Sequence, residues 1–388
     1  MLKRRSSSCS KQSHGSRLYY LQREGSILLL PNHGANPELL ARSLQTELKE
    51  NSLDFSVNVN PYPPLVNLKE VWGSLYEEIL HYPHPSAAPF LQLAAEMAGL
   101  GPEQVLAGNG AAELIFLIAQ AYRGANVLII EPAFSEYREA CEANGCKVES
   151  FITQEESKWG ISFEELEKSL EGKQLCFLCQ PNNPTGTALD SVELEKLLQL
   201  CSEKKVTLVV DEAFVHFMEN PVTAVPLLAH FNNLILLRSL TKMFHLPGLR
   251  LGYAMSSLDL ILKMKKYQPP WSVNGPAQKI GMLCVAQEKP IAADIAEKTA
   301  NERNRLFPVL RRLGFEPSPS LVNFYLLREK GEEKDQMDLI KYLLSRRIIV
   351  RHTFNFNGLE GRFIRLAIRT PEENDVLLDV LEGWNASC

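Results

Sequence analysis

Residues 174–212, QLCFLCQPNNPTGTALDSVELEKLLQLCSEKKVTLVVDE, give the clearest indication of the fold class of this chain. They contain a short apolar run, a polar turn, a stretch with helical periodicity and a second short apolar run. Two short apolar runs that flank a helix are typical of a strand–helix–strand unit whose parallel strands are buried on both faces. The segment therefore predicts an α/β fold.

The same alternation extends from about residue 100 to about residue 255 and predicts a mostly parallel sheet with helices on both faces. We expect a large domain over residues 71–270 and a smaller α+β domain over residues 271–388. Residues 31–70 are rich in proline, and we expect this segment to pack across both domains and over the substrate.

The first residues of the chain are basic, serine-rich and nearly free of acidic residues. This composition fits an organelle transit peptide, a disordered extension or a start codon assigned too early, and it lacks the apolar core of a secretory signal. We expect residues 1–30 to form a disordered extension that takes no part in the fold.

The composition excludes several classes of protein. A chain of 388 residues with 45% hydrophobic residues can bury a large core. Its net charge of -5 argues against nucleic acid or an anionic membrane as the main partner. No apolar run approaches the roughly 20 residues of a membrane helix. We expect a soluble enzyme, and the scattered cysteines favour the cytoplasm.

Cys176 and Cys179 form a CxxC pattern inside an apolar run. A second cysteine pair or a histidine cluster, which a metal site would require, does not accompany them. We interpret both thiols as core residues and predict no metal site.

Polar residues that directly follow strands are the first candidates for a ligand site, because open α/β sheets bind ligands at the carboxyl ends of their strands. Gly108 and Gly110 precede a helix whose N-terminal amides suit a phosphate, although such glycines often only form a turn. Residues 182–186, NNPTG, end a strand and also fit a plain β-turn.

Two further positions carry ionisable groups. Asp211 ends the apolar run TLVVD, where a carboxylate must be paired to offset its desolvation; a helix N-cap is the ordinary alternative. Lys242 lies in RSLTKMFHLPGLRLGY, residues 238–253, eight residues before Arg250. It is either a solvated surface amine or a reagent held in place.

The order and spacing of these motifs identify a family resemblance. NNPTG, then DEAF, then SLTK with an arginine eight residues later resembles the fold-type I, aspartate-aminotransferase-like enzymes that use pyridoxal 5'-phosphate (PLP). The resemblance runs from about residue 33 to residue 385. It implies the PLP-dependent transferase fold type I, with a mostly parallel sheet in the large domain and a smaller α+β domain.

The resemblance also implies roles for individual residues. Lys242 matches the lysine that bonds to the cofactor aldehyde, since only a primary amine forms that bond. Asp211 matches the carboxylate that pairs with the pyridinium nitrogen, and Asn183 the amide that hydrogen-bonds the phenolic oxygen. The cofactor phosphate would be held by hydroxyls, a guanidinium and helix N-terminal amides, namely Ser239, Thr241, Arg250 and the amides of Gly110, Ala111 and Ala112.

Aromatic residues complete the implied cofactor site. In EPAFSEYREA, Phe134 matches the aromatic residue that stacks on the cofactor ring, and Tyr137 is the alternative. HYPHP resembles the segment in which a tyrosine reaches the cofactor phosphate of the other subunit, which assigns that role to Tyr82. This match implies a homodimer with shared active sites.

The small domain contains the implied carboxylate and phosphate anchors of the substrate. Strand alternation places Arg365 and Arg369 on one face, and Arg365 matches the carboxylate-binding arginine of the family. Arg369 is either a second contact or a solvated strand end. Arg351 matches an arginine that binds the substrate phosphate in the branch of histidinol-phosphate aminotransferases and threonine-phosphate decarboxylases.

Two details distinguish between members of this branch. PNHGANPELLARSLQ followed by LDFSVNVNPYPP resembles the N-terminus of threonine-phosphate decarboxylases, which folds over the substrate phosphate and assigns this role to His33, Gly34 and Asn36. His33 also fits an ordinary surface histidine. Phe214 stands in DEAF, where aminotransferases usually have a tyrosine near the cofactor oxygen.

These matches imply decarboxylation of L-threonine O-3-phosphate to (R)-1-amino-2-propanol phosphate and carbon dioxide, as in cobalamin biosynthesis, with phosphoserine as another substrate. The alternative is an aminotransferase acting on histidinol phosphate or another amino acid. The orientation of the substrate decides between these reactions. A DNA-binding ligand sensor would need a helix-turn-helix segment and a basic face, which the sequence lacks.

Overall fold

An N-terminal segment, a large sheet and a small sheet make up the fold. The computed structural model describes residues 18–23, 26–62 and 68–386. The N-terminal segment contains strands β1 (Leu18–Arg23) and β2 (Ser26–Pro31), helix α1 (Pro37–Ser43) and strand β3 (Leu53–Asp54).

The large domain alternates strands and helices, as the sequence predicts. Its elements are α2 (Leu68–Leu80), α3 (Ala88–Ala98), β4 (Val105–Gly108), α4 (Gly110–Ala121), β5 (Asn126–Glu131), α5 (Ser135–Ala143), β6 (Lys147–Ile152), α6 (Phe163–Ser169), β7 (Leu175–Cys179), α7 (Ser191–Glu203), β8 (Thr207–Asp211), β9 (Leu234–Ser239), β10 (Gly252–Ser256), α8 (Leu258–Lys265) and α9 (Gly275–Ala286).

The seven strands of the large sheet lie in the order β4-β10-β9-β8-β7-β5-β6. Strands β9, β8, β7, β5 and β6 are parallel, and β10 runs antiparallel to both of its neighbours. Every residue of β7 and β8 is buried, because apolar clusters cover both faces of the sheet. The prediction of a mostly parallel, doubly covered sheet is confirmed.

The small domain begins with a long helix. Its elements are α10 (Glu288–Arg312), β11 (Phe315–Pro317), β12 (Phe324–Glu329), α11 (Met337–Ser345), β13 (Ile348–Ile349), β14 (Arg351–His352), β15 (Ile364–Ala367) and α12 (Pro371–Asn385). Strands β11, β12, β15 and β14 form an antiparallel sheet in that order. Among the helices of the described ranges, none is long and apolar enough to cross a membrane.

The N-terminal segment contacts both domains. Strand β3 pairs in parallel with β13, and Phe55 is buried in the core of the small domain. Further along, the backbone amide of Asn60 donates to the backbone carbonyl of Lys242 at 2.9 Å. The side-chain Nδ2 of Asn323 donates to the backbone carbonyl of Asn58 at 3.1 Å. These bonds fix the segment beside the loop that carries Lys242.

The expectation of a disordered extension over residues 1–30 is wrong for residues 18–23 and 26–30. Strands β1 and β2 pair as an antiparallel hairpin, and Leu30 is buried in the small-domain core. The apolar side chains of Tyr19, Leu21 and Leu28 pack against the same core, which supplies the burial that an isolated hairpin lacks. Residues 1–17 lie outside the described residues.

Cys176 and Cys179 are both buried core residues of β7, as expected. Cys176 belongs to the apolar cluster on one face of the sheet and Cys179 to the cluster on the other. Their thiols therefore face opposite layers and cannot share a ligand.

Candidate active site

A cavity of about 260 Å³ lies at the carboxyl ends of β7, β8 and β9, between the large domain, the small domain and the N-terminal segment. Strands, loops and a helix N-terminus from distant parts of the chain contribute to its wall. The lining includes the predicted residues His33, Gly34, Ala111, Ala112, Phe134, Asn183, Asp211, Phe214, Ser239, Thr241, Lys242, Arg250, Arg351 and Arg365.

Lys242 lies in the loop between β9 and β10 and points into this cavity. Its Nζ donates a 3.4 Å hydrogen bond to Asn58 Oδ1 and lies 5.8 Å from the centre of the Phe214 ring. Burial, and then the charges of Arg365 and Arg250, lower the pKa of Lys242 to about 8. A substantial fraction of this amine is therefore neutral near pH 8, which is the nucleophilic form.

Asp211 ends β8 as a buried carboxylate with defined partners. Its Oδ2 accepts a 2.7 Å hydrogen bond from the Tyr137 hydroxyl, and its Oδ1 accepts one from the Ala213 amide at 3.0 Å. Burial raises the pKa of Asp211 above its usual range, whereas these hydrogen bonds and Lys242 oppose that rise. A cationic ring nitrogen at this point would stabilise the carboxylate further.

The predicted phosphate-binding residues converge at the start of α4. Ser239 Oγ and Thr241 Oγ1 are 2.9 Å apart, and Ala111 and Ala112 belong to the first turn of the helix. A Cβ atom on Gly110 would lie 2.5 Å from a guanidinium nitrogen of Arg250, so glycine allows the arginine to lie against the backbone. A helix N-terminus, two hydroxyls and a guanidinium brought together in this way have the chemistry that suits an anion.

Phe134 and Asn183, the residues predicted to contact the cofactor ring, also line the cavity. Phe134 precedes α5, and its ring meets that of Tyr137 edge-on at a centroid distance of 5.8 Å. Tyr137, the alternative stacking residue, is fully buried and instead bonds Asp211. Asn183 accepts a 2.6 Å hydrogen bond from Arg365 through Oδ1, which leaves its amide nitrogen to donate.

Arg351 and Arg365 are direct partners on the antiparallel strands β14 and β15. Arg365 donates to Asn183 and to the Ser56 carbonyl; Arg351 donates to the carbonyls of His352 and Asn32. Within the described residues, neither arginine forms an ion pair with a carboxylate. Burial lowers the pKa of Arg365 to about 10, and burial together with Arg365 lowers the pKa of Arg351 well below its usual range.

The N-terminal segment closes one side of the cavity. A Cβ atom on Gly34 would lie 2.5 Å from the Ser56 carbonyl oxygen, so this glycine permits close approach of the two backbones. His33 lines the cavity, with Nε2 3.7 Å from Glu136 Oε1. Asn36 does not reach it: this residue precedes α1, is exposed, and donates from Nδ2 to the Gly34 carbonyl at 3.2 Å.

Two other residues singled out in the sequence lie away from the cavity. Tyr82 is 86% exposed, and its ring lies 5.3 Å from that of Trp271. Arg369 is neither a substrate contact nor a solvated strand end, because its guanidinium bonds the Asp54 carbonyl and Glu373. It ties the N-terminal segment to the start of α12.

Comparison with known proteins identifies the family of this chain. The model of the family described as aminotransferase class I and II matches residues 50–381. The chain belongs to this family.

Individual members of the aminotransferase class I and II family match along most of their length. A threonine-phosphate decarboxylase of Salmonella typhimurium is 32% identical over 353 residues, covering 90% of this chain and 96% of that protein. Histidinol-phosphate aminotransferase 1 of Carboxydothermus hydrogenoformans is 34% identical over 343 residues, covering 87% and 94%. The crystal structure of L-threonine-O-3-phosphate decarboxylase from Porphyromonas gingivalis has a TM-score of 0.77 at 27% identity, covering 86% and 99%.

Class I and II aminotransferases depend on PLP, so the predicted cofactor is confirmed. The residues present fit this group. The cavity combines an amine with a lowered pKa, a buried carboxylate and a helix N-terminus beside Arg250, whose guanidinium occupies the space that a side chain on Gly110 would fill. These groups match an aldehyde, a ring nitrogen and a phosphate, respectively.

Two residues of the site, Asn58 and Glu136, and one contact, that of Tyr137 with Asp211, escaped the sequence analysis. Asn58 lies on the N-terminal segment, and the alternation of SVNVN, which turns Ser56, Asn58 and Asn60 to one side, could have indicated it. The bond of Tyr137 to Asp211 spans 74 positions and leaves no local signal. Glu136 also lines the cavity, and its position in the sequence between Phe134 and Tyr137 could have indicated it.

Proposed function

We propose that this protein is a PLP-dependent lyase that converts L-threonine O-3-phosphate into (R)-1-amino-2-propanol phosphate and carbon dioxide. The observation that carries the proposal is the pair Arg351 and Arg365, two buried guanidinium groups on directly opposed strand positions beside Lys242. The similarity to threonine-phosphate decarboxylases supports it, and cobalamin biosynthesis is the pathway that the resemblance suggests.

Two buried cations at opposed positions repel each other and are desolvated, so both effects favour an anionic ligand. Their hydrogen bonds to carbonyl and amide oxygens orient the guanidinium groups but do not neutralise them. A substrate with a phosphate and a carboxylate supplies one anion for each. Phosphothreonine and phosphoserine both meet this requirement, and phosphoserine remains a second candidate substrate.

Four ionisable side chains of the cavity have tasks in this proposal. Lys242 provides the neutral amine that bonds the cofactor, and Asp211, held by Tyr137, stabilises positive charge at the ring nitrogen. The bound cofactor would supply the electron-withdrawing ring that makes the Cα bonds of an amino acid labile. Arg351 and Arg365 anchor the two ends of the substrate and thereby determine which of those bonds is aligned for cleavage.

The N-terminal segment supplies a further part of the substrate site. We assign His33 and Gly34 to the side of the cavity that faces the substrate phosphate, because both line it. Asn36 takes part only through its bond to the Gly34 carbonyl, which stabilises the local turn. Phe214 places an apolar ring without a hydroxyl 5.8 Å from the Lys242 amine, at a position where aminotransferases usually have a tyrosine.

We also propose a homodimer with shared active sites. Tyr82 lies outside the cavity of its own chain, and its exposure leaves it available to a partner subunit. Through the resemblance, its hydroxyl would reach the partner's cofactor phosphate. A reducing compartment such as the cytoplasm is compatible with the buried free thiols of the chain.

An aminotransferase acting on histidinol phosphate is the second candidate, and the Carboxydothermus relative favours it. Histidinol phosphate contains a phosphate and an amine but no carboxylate. Arg365 would then meet a carboxylate only when the amino acceptor occupies the site. The two candidates therefore differ in whether an acceptor is required for turnover.

The deciding experiment uses purified holoenzyme and L-threonine O-3-phosphate without any keto acid, and it measures carbon dioxide and the amine product. We expect repeated turnover with release of carbon dioxide, and neither product nor the visible cofactor absorbance in Lys242→Ala. Conversion of the cofactor to its amine form, with turnover only after addition of 2-oxoglutarate and histidinol phosphate, would contradict the proposal and support the aminotransferase.

A further inference from the structure

Glu136 is a carboxyl group of the cavity to which the cofactor and substrate roles assign nothing. It is the second residue of α5 and follows Phe134 by two positions. Its Oε1 lies 3.7 Å from His33 Nε2, and its Oε2 is buried without a hydrogen-bond partner within the described part of the chain. An unpartnered buried oxygen in a ligand cavity indicates a group that acts on the ligand.

Charged groups from four elements face this carboxyl group. They are His33 of the N-terminal segment, Glu139 of α5, Asp211 of β8, and Lys242 and Arg250 of the loop after β9. Burial, followed by Glu139, raises the pKa of Glu136 to about 7, although Lys242 and Arg250 oppose the rise. The carboxyl group can therefore both give up and regain a proton near neutral pH.

His33 connects Glu136 to solvent. The side chain of His33 is 34% exposed and that of Glu136 20% exposed. The imidazole ring also lies 5.9 Å from the ring of Phe134, another residue of the cavity wall. A histidine with one end in water and the other beside a carboxyl group is suited to pass protons between them.

Decarboxylation of an amino acid consumes one proton in each turnover. The bond between Cα and the carboxylate breaks, carbon dioxide leaves, and the electron pair that remains at Cα forms a new C–H bond with a proton. The overall balance is amino acid carboxylate plus one proton giving amine plus carbon dioxide. The proton donor must therefore be replenished from solvent after every turnover.

We propose that Glu136 donates this proton to Cα and that His33 replenishes it from solvent. The assignment rests on the proposed decarboxylase function. It makes Glu136 a catalytic residue and gives His33 a part in proton transfer beside its predicted contact with the substrate phosphate.

The test compares Glu136→Gln with the control Glu142→Gln, which changes an acid of the same helix that lies outside the cavity and pairs with Arg138. In Glu136→Gln we expect kcat for carbon dioxide release to fall about 100-fold, with KM for threonine phosphate within about threefold of wild type. Turnovers that still occur should more often end with the cofactor in its amine form and, after hydrolysis by one water, an aldehyde product, because Cα would no longer have a nearby proton donor. Glu142→Gln should behave like wild type.

The pH dependence and a measurement without cofactor provide independent readouts. The wild-type kcat should fall as pH rises through about 7, because only the protonated form of Glu136 donates, and this fall should be absent in Glu136→Gln. In the cofactor-free protein, infrared difference spectra should show a protonated carboxyl band that disappears near pH 7. Burial also raises the pKa of Glu131 to about 7, so the band should lose only the intensity that belongs to Glu136 in Glu136→Gln and should keep its wild-type intensity in Glu142→Gln.

The outcomes separate this inference from the function on which it rests. If wild type releases carbon dioxide and Glu136→Gln retains its rate, pH profile and product, the assignment of Glu136 is wrong and the decarboxylase stands. If wild type releases no carbon dioxide from threonine phosphate, both are wrong. Glu136→Asp, which keeps the acid, should recover part of the rate and the clean product.

Discussion

Arg351 and Arg365 show how a residue pair can be unfavourable for the empty protein and still suit its function. Buried charges without counter-ions cost several kcal/mol, and like charges at opposed strand positions add repulsion. The chain holds them through hydrogen bonds to carbonyl and amide oxygens and through the rings of Phe356 and Phe324, which lie 5.1 and 5.5 Å from the guanidinium carbons. A dianionic substrate removes this cost, so part of the stability lost in the free enzyme returns as binding free energy.

The first prediction concerns Arg351. Replacement by alanine should weaken binding of threonine phosphate about 100-fold, equivalent to about 2.7 kcal/mol, because a charge-assisted contact with a phosphate is lost. Binding of unphosphorylated threonine should change far less. Rapid mixing, with the cofactor absorbance recorded before carbon dioxide is released, measures the dissociation constants of both ligands.

Arg369→Ala is the matched control for this prediction, since Arg369 lies near the same sheet but already pairs with Glu373. Arg369→Ala should leave the ratio of the dissociation constants of threonine phosphate and threonine unchanged. If Arg351→Ala weakens the binding of threonine phosphate and of threonine equally, Arg351 does not recognise the phosphate.

At the scale of elements, the sequence predicted the structures that depend on local pattern. The runs that became β7 and β8 are continuous apolar segments, and Asp211 stands at the end of one of them, where a parallel sheet places its ligands. Contacts between distant segments could not be predicted in this way. Asn58 meets Lys242 across 184 positions, and His33 meets Glu136 across the boundary between the N-terminal segment and α5.

The hairpin β1–β2 was misjudged because its stability comes from tertiary burial. The neighbouring basic and serine-rich sequence suggested disorder, whereas SILLL places Leu30 in the small-domain core with 1% of its surface exposed. The adjacent Leu29 is 38% exposed, as strand alternation requires. Burial of alternate side chains therefore decides the conformation of this segment.

The second prediction tests the contribution of this hairpin. Leu30→Ala should lower the free energy of unfolding by about 2–4 kcal/mol, because it removes a fully buried side chain and leaves a cavity. Leu29→Ala should lower it by less than about 1 kcal/mol. Urea denaturation followed by circular dichroism measures both, and equal small losses would mean that the hairpin does not pack against the small domain.

At the scale of the whole molecule, one face of the described structure is unusually apolar. Trp72, Tyr76 and Ile79 on α2 are 68%, 60% and 66% exposed, and their spacing of four and three positions places them in one stripe. Tyr82 follows this stripe directly, with 86% of its surface exposed. An exposed aromatic and aliphatic stripe of this kind is typical of a subunit interface.

The last prediction is that this stripe forms the homodimer interface and delivers Tyr82 to the partner. Ile79→Asp places a charge in the buried part of the proposed interface, so it should weaken dimerisation more than about 100-fold without unfolding the subunit. Val192→Asp is the control, because Val192 is 73% exposed on α7 and lies outside the stripe. Sedimentation equilibrium measures the association.

Measurements of PLP affinity separate the effect of losing the interface from the effect of losing the Tyr82 hydroxyl. The Ile79→Asp monomer should bind PLP more weakly than wild type, because the site then lacks the partner's hydroxyl. Tyr82→Phe should lower PLP affinity to a similar extent while the protein stays dimeric, since a buried donor to phosphate is lost but the apolar contact remains. If Ile79→Asp is monomeric and binds PLP with wild-type affinity, each subunit binds the cofactor alone. If Ile79→Asp remains dimeric, the interface lies elsewhere on the subunit.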